Sequence, residues 1–427
     1  MMLSGNLTDT TPSFCLDLVR PFKKRNIPRP QKQYLYLKEN KPMKFSVLLP
    51  TRNGGPYLAN CMSSILDQSY EDLELVVSDN ANTDETSEVI ASFAGDPRLK
   101  AIRTEKPLSV IDNWNNALYA SSGDYVLMIG DDDFLLPGYF KRMEAIIEKY
   151  DYPEGITYNG YRFIFPDSIS GNQYSYYSDP YFIFGSDFKH EGFLESGKAL
   201  SIVRDMFRFN VRVPLNTLPH LWSRKAIDRV EGDIFRPPYP DHFALNSLLL
   251  KAKTWVYVPE QLFVIGVTPK SYGHFVFSDS KQEEGTAYLG ISSDFEGRLP
   301  GNDLVNNMNI WLNLLEVNHQ EHLRGIKICR ANYVRRQVHF WCSQYKYGAM
   351  ALKDMLKLLG KLTLGDWLRL ASSGWDRKSL EALWSLMKFS NKNKVDTFYY
   401  EPQCLEGISN IKEFSEWICE RKSVEKR

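Results

Sequence analysis

The stretch that most constrains this chain of 427 residues runs Gly123-Asp124-Tyr125-Val126-Leu127-Met128-Ile129-Gly130-Asp131-Asp132-Asp133. A short apolar run, Tyr125 to Ile129, stops on three consecutive carboxylates. Such a run bounded by turn residues reads as a strand buried on both faces of a parallel sheet. Groups just past the carboxyl end of that strand lie where open α/β sheets bind ligands. Three carboxylates in so small a space repel and raise one another's pKa. A divalent cation shared with a substrate diphosphate removes that repulsion, and Mg²⁺ is commonly held by one or two carboxylates plus phosphate oxygens. Taken alone, the triplet also reads as a solvated turn in which Asp133 caps the next helix.

Upstream the same pattern repeats. Phe45 to Leu49 predicts a first buried strand, closed by Pro50-Thr51-Arg52-Asn53-Gly54-Gly55. Leu58, Cys61, Met62 and Ile65 then recur at i, i+3, i+4 and i+7, one apolar helix face. Leu73 to Val77 predicts a second strand, ended by Ser78-Asp79-Asn80-Ala81-Asn82-Thr83-Asp84, with a helix starting over Thr83, Thr86, Val89 and Ile90. Lys100 to Arg103 reads as a third strand, Asn113 to Ala120 as a helix and Tyr125 to Ile129 as the fourth strand. Strands alternating with helices build βαβ units and a parallel sheet. Thr51-Arg52-Asn53, Asp79-Asn80 and Asp131-Asp132-Asp133 then share one carboxyl edge, the layout of a nucleotide site. No G-x-G-x-x-G or Walker sequence occurs in these turns, so dinucleotide and P-loop readings lack their fingerprint.

Composition removes other classes. Lys+Arg and Asp+Glu are both 52, so no global nucleic-acid signal exists. Cys15, Cys61, Cys329, Cys342, Cys404 and Cys419 form no C-x-x-C pair and no zinc spacing, which suits free thiols in a reducing compartment. Met1 to Thr11 lacks the basic-then-apolar pattern of a secretory signal, and no transmembrane-length apolar run occurs. The expected location is cytoplasmic, with peripheral membrane contact open.

Past residue 150 the pattern loosens. Ile156-Thr157-Tyr158 and Tyr161-Arg162-Phe163-Ile164-Phe165 read as aromatic strand pieces, Gln173 to Ser178 as a Tyr- and Ser-rich loop. Pro237-Pro238-Tyr239-Pro240-Asp241-His242 is a Pro-stiffened loop before an apolar helix from Phe243 to Lys251, and Trp255 to Val258 is another strand. From about Asn302 the chain reads as helical, with apolar stripes Leu352/Met355/Leu356/Leu359 and Leu380/Leu383/Trp384/Met387. Residues 321–427 carry 20 Lys+Arg against 12 Asp+Glu. Such a tail either lies on anionic membrane or packs its stripes on the core.

Phe45 to Asn53, Ile65 to Asp84, Asn113-Trp114-Asn115-Asn116-Ala117-Leu118 and Gly123 to Asp133 together resemble the inverting family 2 glycosyltransferases of the GT-A fold. The resemblance covers Met43 to Tyr139, weakens to about Phe275, and is absent from residues 1–42 and the C-terminal helices. It implies a GT-A type, Rossmann-like, mostly parallel sheet flanked by helices, here with an α-helical C-terminal region. The expected partition is an N-terminal extension 1–43, a glycosyltransferase domain 44–275 (nucleotide-binding half 44–142, acceptor half 143–275) and a helical region 276–427. The implied reaction moves a sugar from a nucleotide-diphosphate donor, a UDP-sugar, to a hydroxyl of a glycan or lipid-linked acceptor, with Mn²⁺ or Mg²⁺.

Carried onto this chain, the resemblance implies donor contacts at Pro50, Thr51, Arg52, Asn53, Asp79, Asn80, Asn113, Asp131 and Asp132. Asp132 is the first choice as metal ligand, with Asp131 or Asp133 assisting. The family's position after Asp79 is often Asp but is Asn80 here, and its usual first Asp of the D-x-D is Gly130. Arg52 and Lys106 are candidates for the donor's charge. Asp241 matches the loop carboxylate that acts as base in the family; as an isolated feature it reads as a helix cap. His274 is a further candidate metal ligand, and His220 and Trp222 are candidates for the acceptor pocket. A sugar-nucleotide pyrophosphorylase would want a Gly-rich basic phosphate loop, of which Asn53-Gly54-Gly55 is a poor version. A non-catalytic nucleotide-sugar or glycan-binding protein on this fold would be expected to have lost either the Asp cluster or Asp241.

Overall fold

The computed structural model describes residues 43–425 apart from 167, 169–172, 179–187, 196, 211–215, 270, 272–298, 300–303, 347–349 and 373–402. The first half alternates as expected: β1 (Phe45–Thr51), α1 (Gly55–Leu66), β2 (Leu73–Asp79), α2 (Thr86–Ser92), β3 (Leu99–Arg103), α3 (Val110–Ala120) and β4 (Tyr125–Met128). β1 is parallel to β2 and to β4, with Leu48 between Val76 and Met128. β3 lies parallel outside β2. Both faces of this sheet are covered, which is why its strands are apolar throughout. Val47 and Leu49 join Leu58, Cys61, Met62 and Ile65 of α1 on one face. Leu48 meets Ala117 and Leu118 of α3 on the other.

Next come β5 (Phe134–Leu135), α4 (Tyr139–Lys149), β6 (Gly155–Ile164), β7 (Ser175–Ser178) and β8 (Gly192–Phe193). α5 (Lys198–Phe207), β9 (His220–Ser223), α6 (Arg224–Ile227), α7 (Pro240–Lys251) and β10 (Trp255–Val267) follow. The sheet order is β11-β7-β6-β9-β4-β1-β2-β3, where β11 is Gln403–Leu405 and β10 pairs with β5, β6 and β8. β9 joins the halves, antiparallel to both β4 and β6.

Two expectations are corrected here. The two aromatic pieces are one strand, β6, parallel to β10. Asn159-Gly160 looks like a break, but the glycine makes room for a ring: a Cβ there would lie 2.4 Å from Phe263. Part of the Tyr- and Ser-rich loop is strand β7, held by β6 on one side and β11 on the other. The C-terminal region is helical as expected and also contributes the short strand β11 to the sheet.

The late helices are α8 (Leu304–Asn318), α9 (Arg330–Lys346), α10 (Leu352–Leu359), α11 (Leu364–Ser372) and α12 (Ile411–Glu425). Trp311 and Leu315 of α8 and Trp341 of α9 share the core of Phe243 and Leu248 from α7. α12 lays Ile411, Phe414 and Ile418 over Phe163, Tyr177, Val264 and Phe134. Residues 380–387, the second stripe, lie outside the described residues. No described helix is long and apolar enough to cross a membrane.

Candidate functional site

The carboxyl edge of the sheet is tied together strand by strand. Register places Thr51 of β1 against Asp79 of β2, and Asp79 against Arg103 of β3. β4 ends one step further on, where Ile129 donates its N–H to the Leu48 carbonyl at 3.0 Å. Thr51 is buried and its hydroxyl donates to Asp131 Oδ2 at 2.5 Å, linking the first and third turns. Pro50 precedes it in β1, opposite Ser78.

The second turn is braced from within. Asp79 is buried, and its Oδ1 accepts from the Asn82 backbone (3.1 Å) and amide (2.9 Å) while Oδ2 accepts from the Ser87 hydroxyl (2.8 Å). Arg103 lies 3.6 Å from the same carboxylate. Asn53, in the left-handed region at φ 55°, accepts from the Thr83 N–H, and its own N–H donates to Asn82 Oδ1 at 2.6 Å. Arg52 donates to the Asn80 carbonyl at 3.0 Å. Asn80 uses both ends of its amide on the backbone of one residue: Oδ1 accepts from Leu108 N–H (2.6 Å) and Nδ2 donates to Leu108 O (3.0 Å). An aspartate could make only the first of these bonds. The Asn80 side chain therefore fastens the 104–109 loop. Asn113 is buried and accepts from the Ser78 hydroxyl at 2.7 Å, pinning α3 to the end of β2.

The three aspartates are not equivalent. Asp133 is buried and accepts two backbone N–H bonds, Gly266 on Oδ1 and Gly130 on Oδ2, both at 3.0 Å. Burial still pushes its carboxyl up to about 7. Asp132 is partly buried and accepts from the Thr268 hydroxyl at 3.3 Å. Burial, then the charges of Asp133 and Asp131, raise its pKa well above the carboxylate range. Cys61, buried beneath, donates its thiol to the Gly130 carbonyl at 3.2 Å. Among the described residues, no three His, Cys, Asp or Glu side chains converge as a complete metal cage. Hard oxygen donors on Asp131 and Asp132, under mutual repulsion, nonetheless fit a divalent cation completed by diphosphate oxygens. Asp133, expected as a ligand, has both oxygens committed to the backbone. His274 lies outside the described residues.

Asp241 occupies the first turn of α7, behind Tyr239 at the cap position and Pro240. It is neither in the loop nor the helix cap. Its side chain is 19% exposed, and burial pushes its carboxyl up to about 7. Its Oδ1 accepts the His242 N–H at 3.0 Å. His242 is buried, driven down to about 3 by burial and therefore neutral at pH 7, and it packs edge-on to Trp311. The preceding loop is fastened to α3: Asn115 donates to the Phe235 carbonyl at 2.9 Å, and Trp114 meets the Phe235 ring edge-on. This fastens the segment that leads into α7 to the middle of α3.

His220 and Trp222 do not line a pocket. Both are buried in β9, where His220 hydrogen-bonds Thr157 at 2.8 Å and burial lowers its pKa to about 3. Lys106 is exposed and makes no hydrogen bond or ion pair among the described residues.

Residues 46–191 match the family model for glycosyl transferase family 2. Over that stretch the chain is similar to family 2 glycosyltransferases. Its relatives include Glycosyltransferase GlyG of Streptococcus pneumoniae, 26% identical over 31% of this chain and 42% of that protein. A Campylobacter jejuni enzyme named GalNAc(5)-diNAcBac-PP-undecaprenol beta-1,3-glucosyltransferase is 36% identical over 22% of this chain and 31% of its own length. The chain thus matches less than half the length of these relatives. Among solved structures, S. aureus TarS 1-349 in complex with UDP-GlcNAc aligns over 74% of this chain and 89% of that one, at 15% identity and a TM-score of 0.43.

Sequence reasoning missed the residues that shape the aspartate turn. Gly54 has no Cβ because one would fall 2.0 Å from Asp131 Oδ2. Gly266 lies against the Asp132 carbonyl, where a Cβ would approach to 1.9 Å. Thr268 follows two residues later on the same strand end. Gly266 and Thr268 are more than 130 residues from their partners in sequence. Only a Gly inside an apolar run, Phe263-Val264-Ile265-Gly266-Val267, hinted at a close backbone approach.

Proposed function

We propose that this protein transfers a sugar from a nucleotide-diphosphate donor, a UDP-sugar, to a hydroxyl of a glycan or lipid-linked acceptor, with inversion at the sugar carbon. The observation that carries it is the aspartate turn after β4, tied through Thr51 to β1 and flanked by the Asp79 turn, inside the stretch similar to family 2 glycosyltransferases. Asp131 and Asp132 are assigned to hold Mn²⁺ or Mg²⁺, which when bound supplies positive charge to the departing diphosphate. The Asp79–Asn82 turn, braced on Ser87 and Arg103, offers a rigid surface for the nucleoside. Arg52 and Lys106 add charge toward the phosphates.

Asp241 acts as general base. Its carboxylate takes the acceptor hydroxyl proton as that oxygen bonds to the sugar carbon. The carbon–oxygen bond to the diphosphate breaks on the opposite face, and its electron pair leaves with the diphosphate. A pKa near 7 suits that task at neutral pH. Polymer and lipid-diphosphate acceptors are supported by relatives named for them, including a poly(ribitol-phosphate) beta-N-acetylglucosaminyltransferase.

Thermal unfolding with UDP, GDP, CDP, dTDP and ADP, each with Mn²⁺ or EDTA, tests the donor assignment. A ligand at about 100 times its Kd stabilises by about 2.7 kcal/mol. UDP should raise Tm with Mn²⁺ only, and Asp132→Ala should abolish the shift. No shift with any diphosphate overturns the assignment.

A further inference from the structure

Two short C-terminal helices carry their large apolar residues on the outside. α10 and α11 both pack on α9: Met355 and Leu362 are buried, Leu358 and Leu359 are half-buried against the same core, and Asp366 is buried in an ion pair with Arg330 at 3.1 Å. Facing solvent are Leu352 (47% exposed), Leu356 (56%), Leu364 (76%), Trp367 (43%) and Leu368 (61%). Five of the twelve large exposed hydrophobics among the described residues fall in this segment, so the patch is not the usual scatter. Spacing of i, i+4 in α10 and i, i+3, i+4 in α11 lines them along one stripe of each helix.

The polar residues beside these stripes have one dominant sign. Lys353, Lys357, Lys361 and Arg369 are all exposed, against a single exposed acid, Asp354. Leucines and a tryptophan on one face with lysines beside them is the composition of helices that lie in a membrane interface. Helices of this length, roughly 12–14 Å, offer little toward the ~800 Å² per partner of a stable protein dimer.

We propose that α10 and α11 dock this protein on an anionic lipid surface. Leu352, Leu356, Leu364, Trp367 and Leu368 enter the boundary between headgroups and acyl chains, while Lys353, Lys357, Lys361 and Arg369 meet lipid phosphates. The docking is independent of the transfer reaction and is measured without it.

Co-sedimentation of the full chain with vesicles is the test, using phosphatidylcholine alone or mixed with phosphatidylglycerol. The protein should pellet with the mixed vesicles and stay in solution with phosphatidylcholine alone. Each lysine near the surface contributes about fivefold in affinity, so Lys353→Glu/Lys357→Glu should weaken binding by well over tenfold. Leu364→Ser/Leu368→Ser should weaken it comparably at unchanged Tm, because these two side chains are the most exposed of the patch. Failure of the wild type to bind mixed vesicles overturns the proposal, as does equal binding by the folded variants. An oligomer in light scattering that these substitutions convert to monomer, with no lipid binding, makes the patch a contact between copies and overturns it too.

Discussion

A base that must collect a proton near neutral pH works best with a pKa near that pH, and Asp241 is raised to about 7 by burial. The same shift affects stability. An unfolded aspartate titrates near ~3.9, so the folded chain holds this proton more tightly. The stabilisation is complete below about pH 4 and is lost as pH rises toward 7, where folding carries a buried charge. Three pH units correspond to about 4 kcal/mol at most, and partial exposure reduces that. Asp241→Asn should thus unfold at a higher temperature than wild type at pH 8 and at a similar one at pH 4. The same change should cut turnover by roughly 10²–10⁴-fold, and wild-type kcat/KM should fall on the acid side of pH 7. A variant that is inactive but no more stable at pH 8 would remove the buried-charge account.

Elements place the site, and those placements differ in rigidity. Gly54 and Gly266 both lack a Cβ because the aspartate turn crowds them, but they meet different atoms. At Gly54 the obstacle is the Asp131 carboxylate, the end of a side chain that can rotate away; at Gly266 it is the Asp132 backbone carbonyl. Gly54→Ala should fold nearly normally and lose the Thr51–Asp131 hydrogen bond. Gly266→Ala must push β10 from the turn and should lower Tm severalfold more, with loss of the UDP-dependent shift. Equal Tm losses would show that the turn moves as easily as the side chain. The distinction also explains what was legible in the sequence. β1 to β4 with their turns could be read because each strand and helix announces itself within about ten residues. Asp241 was readable as a candidate, though its place inside α7 was not. Hidden were the contacts from β10, β7 and β11, and the backbone role of Asp133. His220 and Trp222 misled because polar and aromatic residues resemble pocket lining until β9 is seen between β4 and β6.

At the scale of the molecule, the resemblance ends near Phe275 but the packing does not. The described residues, from 43 to 425, belong to one compact unit. α7, which carries Asp241, is buried along most of its length, and the partners covering it include α8: Trp311 against His242, and His319 Nε2 hydrogen-bonded to the Ser247 hydroxyl at 2.8 Å. On the far side, Phe414 of α12 stacks on Phe163 and packs with Phe134, the residue after Asp133. A fragment of residues 43–275 would expose Phe243, Leu248 and Phe163 together, an apolar area that monomers rarely leave open. Truncating one large buried aromatic alone costs about 3–5 kcal/mol, and total stability is about 5–15 kcal/mol. The fragment should therefore bind ANS, lack near-UV dichroism and show no UDP-dependent Tm shift, while the full chain unfolds in one transition. A fragment with a sharp transition and an intact UDP shift would make the C-terminal helices an appendage instead of the far wall of the Asp241 helix.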